Sequence, residues 1–163
     1  MPTNAHNVQI TGKFQLRVLT PGREWVNEFP LLYKVNGRTR LVESRYITDL
    51  VSRPWFTAPI IRKWGLHGLG SLKHDNDYWF QDHSRSAADR DYMAVNIACG
   101  VQPVDAYAIW SALRVGGAIA WWSNAHKRQR GESAFYDGDL TKLPIADIQP
   151  PKGIIQPDGW AEI

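Results

Sequence analysis

Hydrophobic and polar residues alternate with a period of two in the first part of the chain. The clearest run passes through Phe14, Leu16 and Val18, whose neighbours in between are polar. Such alternation predicts a β-strand with one buried face and one solvated face. Pro21 and Gly22 interrupt the pattern, so the strand is expected to end before them.

A β-hairpin is predicted next. Two runs rich in strand-forming residues, 31–35 and 38–42, are separated by Asn36 and Gly37. This pair accepts the positive φ angles of a type I′ turn, whose twist matches that of paired strands. We expect residues 43–47 to extend the second arm of the hairpin. The N-terminal part of the chain therefore predicts an antiparallel sheet.

The spacing of apolar residues becomes helical after residue 70. Helices are expected to begin near Ser71, after a cap at Ser84 or Ser86, and at Pro103. Gly100 is a natural stop for the second helix. The third helix is expected to end at Gly116 and Gly117, because glycine is a poor helix former.

The segment 131–163 has a different character, since proline and glycine are frequent and apolar residues occur singly. It predicts an extended C-terminal arm that lies across the body or across a neighbouring chain. With 163 residues, the chain is long enough for one hydrophobic core. We predict an α+β fold in which residues 1–130 form a single domain. This domain has an N-terminal antiparallel sheet with the hairpin and a central bundle of two to three helices.

Composition narrows the range of partners. Eight tryptophans occur in the chain, a number that fits a packed core and also a Trp-rich surface for a protein partner. The formal net charge of +3 is too small to indicate a nucleic-acid partner without a concentrated patch. The dense basic run 126–130 is expected to be a solvated helix end.

Several classes of site are excluded by the sequence. Cys99 is the single cysteine, which rules out an internal disulfide framework and a Cys-rich zinc site.

No apolar run reaches the roughly 20 residues of a membrane span. The first residues are polar and do not resemble a signal peptide. We therefore expect a protein that is made in a cytoplasm and remains there or inside a larger assembly.

Reactive side chains are concentrated between residues 48 and 89. His74 and Asp75 are adjacent, and Asp49 and Asp89 lie in the flanking segments. One hypothesis makes His74 a catalytic general base oriented by the carboxylate of Asp89 or Asp49, while Asp75 holds a cation. Another makes His74 and Asp75 ligands of one metal. The candidate metal ligands are Asp75 and Asp49, and the candidate ion is calcium or zinc.

Each of these residues also has a purely structural interpretation. His74 would be a buried histidine bonded to a backbone carbonyl, and Asp89 would close a capping box with Ser86. Asp49 would form an Asx-turn after a strand. Tyr78, four residues after His74, fits either the site or the core. These alternatives leave open whether the chain is an enzyme.

Three short motifs resemble an uncharacterised family encoded in tailed bacteriophages and prophages. They are Thr48-Asp49-x-x-Ser52-x-Pro54, His74-Asp75-x-x-Tyr78 and Ser84-Arg85-x-x-Ala88-Asp89-x-x-Tyr92. The resemblance covers about residues 10–122 and implies a phage gene product made in the cytoplasm of an infected bacterium. Together with the tryptophans and the arm, it leads us to expect a virion or assembly protein. Its partners would be other phage structural proteins or further copies of itself.

A second likeness concerns chemistry. The pattern His74-Asp75-x-x-Tyr78, with Asp89 on the next helix, is similar to the active site of calcium-dependent secreted phospholipases. That likeness implies His74 as the base that activates water, Asp75 as a calcium ligand and Asp89 as the residue that orients the imidazole. The flanking cysteines and a clear glycine-rich calcium loop are missing from this chain. The alternative function is therefore a metal-assisted hydrolase of lipid or cell-wall material.

Overall fold

The chain is described by a computed structural model over residues 7–50 and 66–156. These ranges contain three α-helices and seven short strands. The helices are α1 (Gly68–Phe80), α2 (Arg85–Ala98) and α3 (Pro103–Gln129). The strands are β1 (Val8–Gly12), β2 (Leu16–Thr20), β3 (Glu24–Asn27), β4 (Leu31–Val35), β5 (Arg38–Val42), β6 (Ile47–Thr48) and β7 (Ile155–Gln156).

The strands form two sheets. The first has the order β5-β4-β1-β7 and the second the order β2-β3-β6. Asn36 and Gly37 have φ angles of 50° and 77°, and Val35 pairs with Arg38 across this turn. The predicted hairpin is therefore confirmed. The predicted α+β class, with an antiparallel hairpin sheet and three helices, is confirmed as well.

The chain leaves the hairpin differently from the sequence-based expectation. Residues 43–47 do not extend β5, because Arg45 adopts a positive φ of 68° and turns the chain away. β6 then joins the second sheet beside β3. The alternation of hydrophobic and polar residues did not predict β6 as a separate strand. Fully buried Asn27 holds this turn: its backbone N–H donates to the Tyr46 carbonyl at 2.9 Å.

The third helix is longer than predicted. It continues through Gly116 and Gly117 to Gln129. Gly117 is buried against α1, and this packing outweighs the low helix propensity of glycine. The basic run 126–130 occupies the end of α3 as expected, where cations interact favourably with the helix dipole. Within the described ranges, no helix is long and apolar enough to cross a membrane.

The hydrophobic core lies between the first sheet and the helices α1 and α2. Ile10 of β1 belongs to the same buried cluster as Leu72 of α1 and Val95 of α2. The hydroxyl group of Tyr33 donates a hydrogen bond of 3.0 Å to the carbonyl of Leu69. This buried contact fixes the start of α1 on the sheet, and α3 packs against both α2 and α1.

The described part of the C-terminal arm, residues 131–156, runs across the body of the same chain. The N–H of Val18 donates to the carbonyl of Pro144, and the N–H of Ala146 donates to the carbonyl of Leu16, both at 2.8 Å. Further on, β7 pairs with β1 at the edge of the first sheet. The last residues of the predicted arm, 157–163, lie outside the described residues.

Candidate functional site

The side chains of His74 on α1 and Asp89 on α2 meet inside the helix bundle. His74 Nε2 lies 3.0 Å from Asp89 Oδ1. The carboxyl group is fully buried, and His74 is 8% exposed. The contact arises because the two helices run antiparallel, so that Gly70 faces Asn96 at one end while Tyr78 faces Asp89 further along. The two candidate catalytic residues are thus in direct contact.

Asp89 has further partners on all three helices. The Tyr78 hydroxyl donates to Oδ1 at 2.7 Å, and Arg114 of α3 donates to Oδ2 at 2.7 Å. Arg85 lies 3.7 Å from Oδ2. Burial alone would raise the pKa of Asp89. The hydrogen bonds that the carboxylate accepts, of which those from His74 and Tyr78 have the largest effect, hold its pKa below the ordinary value. Asp89 is therefore an ionised carboxylate at neutral pH.

The position at which α2 begins determines the direction of the Asp89 side chain. Ser84 is the capping residue, and its Oγ accepts a hydrogen bond of 3.3 Å from the N–H of Ala87. The capping box expected between Ser86 and Asp89 is therefore wrong. Because the helix begins at Arg85, Asp89 lies one turn inside it and its side chain is available to His74.

Gly117 allows α3 to approach this cluster. A Cβ at this position would lie 2.4 Å from the hydroxyl oxygen of Tyr78 and 3.2 Å from Nη1 of Arg85. Arg85 in turn donates to two backbone carbonyls of α3 at 2.9 and 3.3 Å. The absence of a side chain at Gly117 thus lets α3 pack against two residues that contact Asp89.

His74 lines a cavity of about 770 Å³ that lies along α1 and α3. The rings of Tyr78 and Tyr92 lie beside the imidazole, with centroid distances of 4.1 and 4.9 Å. The α3 wall is apolar over most of its length and polar towards its C-terminal end. Its apolar residues are Ile109, Ala112, Leu113, Gly116, Gly117, Ile119 and Ala120, and its polar residues are Ser123, Asn124 and Lys127.

Asp75 and Asp49 form a pair of acids in the same cavity. Both line it, and their side chains are hydrogen-bonded to each other. Thr48 donates its hydroxyl to Asp75 and accepts the N–H of Leu50 at 3.0 Å. Burial, and then the charge of Asp49, raise the pKa of Asp75 well above its ordinary value. The raised pKa favours the protonated form of Asp75, which can share its proton with Asp49 through their hydrogen bond.

The acid pair suits a hard divalent cation better than zinc. Calcium and magnesium accept two carboxylates together with waters, whereas catalytic zinc takes three protein ligands. In the part of the chain that the structure describes, one set of three His, Cys, Asp or Glu residues brings its ligand atoms within 4.8 Å of one another. That set is Asp77, His83 and Asp91, so a three-ligand zinc centre is not assembled around Asp75 and Asp49.

Lysine and arginine side chains already neutralise the two carboxylates of this set, Asp77 and Asp91. Lys73 is 1% exposed, and its Nζ lies 2.6 Å from Asp77 and 3.2 Å from Asp91. Arg40 of β5 donates to Asp77 at 2.8 Å, and Arg38 pairs with Asp91. The network joins the edge of the first sheet to α1 and α2, which indicates a structural role.

Sequence reasoning singled out His74, Asp75, Asp49 and Asp89, and the structure places them in two contacting pairs beside one cavity. It missed Arg114. The available signal was that this residue is the one charged side chain between positions 106 and 126. A lone charge inside an apolar helix needs a buried partner.

Comparison of the chain with protein-family models, with curated proteins and with solved structures gave no match. An interpretation of the site therefore rests on its own geometry. It combines an imidazole oriented by an ionised carboxylate with a pair of acids that share a proton, both facing one cavity.

Proposed function

We propose that the protein is a hydrolase in which His74 activates a water molecule as general base. The observation that carries this proposal is the 3.0 Å contact between His74 Nε2 and Asp89 Oδ1 beside the cavity. General-base catalysis needs an imidazole that is held in one orientation and remains accessible to substrate. The cavity volume of about 770 Å³ is in the range of small-molecule sites.

The ionisation of Asp89 decides which nitrogen of His74 acts as the base. A carboxylate accepts hydrogen bonds only, so Nε2 carries the proton of the neutral ring and donates it to Asp89. Nδ1 then keeps its lone pair. The proposal requires that this lone pair faces a water in the cavity that His74 lines. The positive charge that the ring gains on taking a proton is stabilised by the buried carboxylate.

The proposed reaction is the hydrolysis of an ester or a related acyl group. The water transfers a proton to Nδ1 of His74 while its oxygen forms a bond to the acyl carbon. The bond from that carbon to the leaving oxygen then breaks, and the imidazolium returns the proton to the leaving oxygen. One water is consumed, and His74 ends in its starting state.

Asp75 and Asp49 are assigned to the binding of a cation that activates the acyl group of the substrate as an electrophile. Two carboxyl groups that share a proton can release it to the solvent when they bind a divalent cation in its place, since metal binding and deprotonation are coupled. Calcium or magnesium held there would polarise the acyl oxygen of the substrate. Thr48, which donates to Asp75, would keep that carboxylate in place.

The test is the hydrolysis of a fluorogenic short-chain ester and a fluorogenic phospholipid by the full chain, with calcium and with a chelator. His74→Gln is expected to lower kcat/KM by at least about 100-fold. His126→Gln, at an exposed position outside the cavity, is expected to retain the full rate. Equal rates for the two variants, or a folded chain that hydrolyses neither probe, would contradict the proposal.

The phage origin and the binding of virion subunits stay predictions. The described arm residues are hydrogen-bonded within their own chain. Of the described tryptophans, Trp122 of α3 is exposed and Trp25 is buried, so one described tryptophan is available to a Trp-rich partner surface. Copurification with phage particles tests this second role without reference to catalysis.

A further inference from the structure

One side of α3 is apolar and turned towards solvent. Its large exposed side chains, between 56% and 83% exposed, are Val104, Tyr107, Val115, Ile119 and Trp122. At 3.6 residues per turn these positions fall within an arc of about 120° and span about 27 Å of the helix. The buried residues Ala106, Ile109 and Gly117 lie on the other side. We call the exposed side the outer face of α3.

The outer face has the spacing of a seam between two helices. Positions 104, 108, 111, 115, 118 and 122 follow one another in alternate steps of four and three residues, and all of them except Ser111 are apolar. This is the step pattern by which one helix packs along another. Among the described elements, α1 and α2 pack against α3, and its buried residues face them. The outer face is therefore a helix-packing surface that no described helix covers.

Large and small side chains are placed symmetrically about Val115. Ser111 and Ile119 lie four residues to either side of it, and Ala108 and Trp122 lie seven residues to either side. In an antiparallel pair of α3 helices that cross at Val115, Ile119 of each copy meets Ser111 of the other. Trp122 meets Ala108 in the same way. Each large side chain thus faces a small one, as close packing requires, whereas a parallel pair would place each residue against itself.

The charges of α3 favour the same orientation. Asp105 lies in its first turn, and the basic residues of its last turn are His126, Lys127 and Arg128. In the antiparallel pair, exposed Asp105 on the flank of the outer face lies level with His126 of the other copy. The two Arg128 residues lie about 39 Å apart along the helices, far beyond the screening length of about 10 Å. A parallel pair would place the two basic ends side by side, which opposes association.

We propose that the outer face of α3 is the interface of a homodimer, in which two copies of the chain pack antiparallel about a two-fold axis at Val115. The interface is isologous, since both copies use the same surface. The occupant of the outer face is thus a second α3, selected by helical spacing, by the match of large and small side chains and by the separation of the basic ends. The dimer uses none of the contacts of the proposed hydrolase, so His74→Gln should dimerise normally.

The first test is disulfide cross-linking of the full chain under mild oxidation. In Val115→Cys the two new thiols meet at the axis, within the Cα separation of about 4–7 Å that a disulfide spans. In the matched controls Ser111→Cys and Ile119→Cys, the same residue of the two copies lies about 12 Å apart along the helices. Val115→Cys is expected to give at least tenfold more linked dimer than either control. Cys99 is 3% exposed, so the unsubstituted chain should not cross-link.

The second test is the mass of the chain by sedimentation equilibrium at micromolar concentration. The unsubstituted chain is expected to be a dimer. Val115→Glu places two like charges together at the axis and should raise the dissociation constant at least tenfold. The control Ile145→Glu, at an apolar position 59% exposed on the arm, is expected to remain dimeric. Thermal unfolding verifies that both variants are folded.

Three results would overturn the proposal: a monomer at micromolar concentration, a dimer that folded Val115→Glu leaves intact, or equal cross-linking of the three cysteine variants. The last result would indicate a parallel pair. A monomer that binds lipid vesicles through the outer face would identify a bilayer as the occupant and also overturn the dimer. Should Val115→Glu not fold, the cross-linking decides alone, because its substitutions are small and introduce no charge.

Discussion

His74 and Asp89 lie 15 residues apart in the chain, and their side chains meet at 3.0 Å between Nε2 and Oδ1. The carboxylate is fully buried and is also bound by Tyr78 and Arg114. A buried charge is costly unless its hydrogen-bonding capacity is satisfied. The same contacts that orient the imidazole therefore also stabilise the packing of the three helices.

Asp89→Asn is expected to lower the free energy of unfolding by about 2–4 kcal/mol. The substitution removes the negative charge that Arg114 contacts at 2.7 Å and places an amide donor among donors. Urea unfolding monitored by tryptophan fluorescence measures the change. Asp147→Asn, at an exposed position, is the control and should stay within about 0.5 kcal/mol of the unsubstituted chain. Equal stability of the two variants would show that the carboxylate does not hold the bundle together.

Gly117→Ala should destabilise the protein, although alanine is the better helix former by about 1 kcal/mol. The added Cβ would lie 2.4 Å from the Tyr78 hydroxyl oxygen, so α3 or the tyrosine must shift away from Asp89. We expect a loss of about 1–3 kcal/mol and a lower rate of hydrolysis. Ser111→Ala, at an exposed position of the same helix, is expected to be neutral or slightly stabilising. A stabilised Gly117→Ala variant would contradict the packing described for α3.

Asp75→Asn is expected to change the pH dependence of stability. The pKa of Asp75 is raised in the folded state, so its contribution to stability is fully present below the ordinary carboxyl pKa of about 4. It is lost as the pH rises through the raised pKa of the folded state. The stability of Asp75→Asn relative to the unsubstituted chain should therefore increase from about pH 4 upwards.

The Tm of the unsubstituted chain and of Asp75→Asn, measured from about pH 4 to pH 8, gives this difference. A free-energy change of about 1 kcal/mol corresponds to about 2–4 °C at this chain length. A difference in Tm that stays constant over the whole range would mean that Asp75 does not share a proton with Asp49.

Local sequence signals predicted the elements that are determined by local chemistry. Asn36 and Gly37 specify their turn through the φ angles they tolerate, and Ser84 specifies a helix start. β6 has two residues and exists because it pairs with β3, a long-range contact that leaves no period in the sequence. The helix continues through Gly116 and Gly117 because α3 packs on α1, which also depends on tertiary structure.

The candidate site divides in the same way. His74 and Asp75 are adjacent in sequence, so their proximity needed no structure. That Asp89 faces His74 depends on the position at which α2 begins and on the antiparallel packing of α1 and α2. Arg114 lies 25 residues from Asp89 in the chain, and their contact depends on the close approach of α3 at Gly117. Sequence patterns locate such groups but do not fix their mutual orientation.

The central claim is that Nδ1 of neutral His74 is the free base while Nε2 donates to Asp89. Long-range proton–nitrogen correlation spectra of the ¹⁵N-histidine-labelled chain, recorded as a pH series that extends to the singly protonated ring, measure this directly and need no substrate. His74→Gln assigns the signal. We predict a protonated Nε2 and an unprotonated Nδ1 in the unsubstituted chain, and a loss of this preference in Asp89→Asn. A neutral ring protonated at Nδ1 would contradict the proposed role of His74.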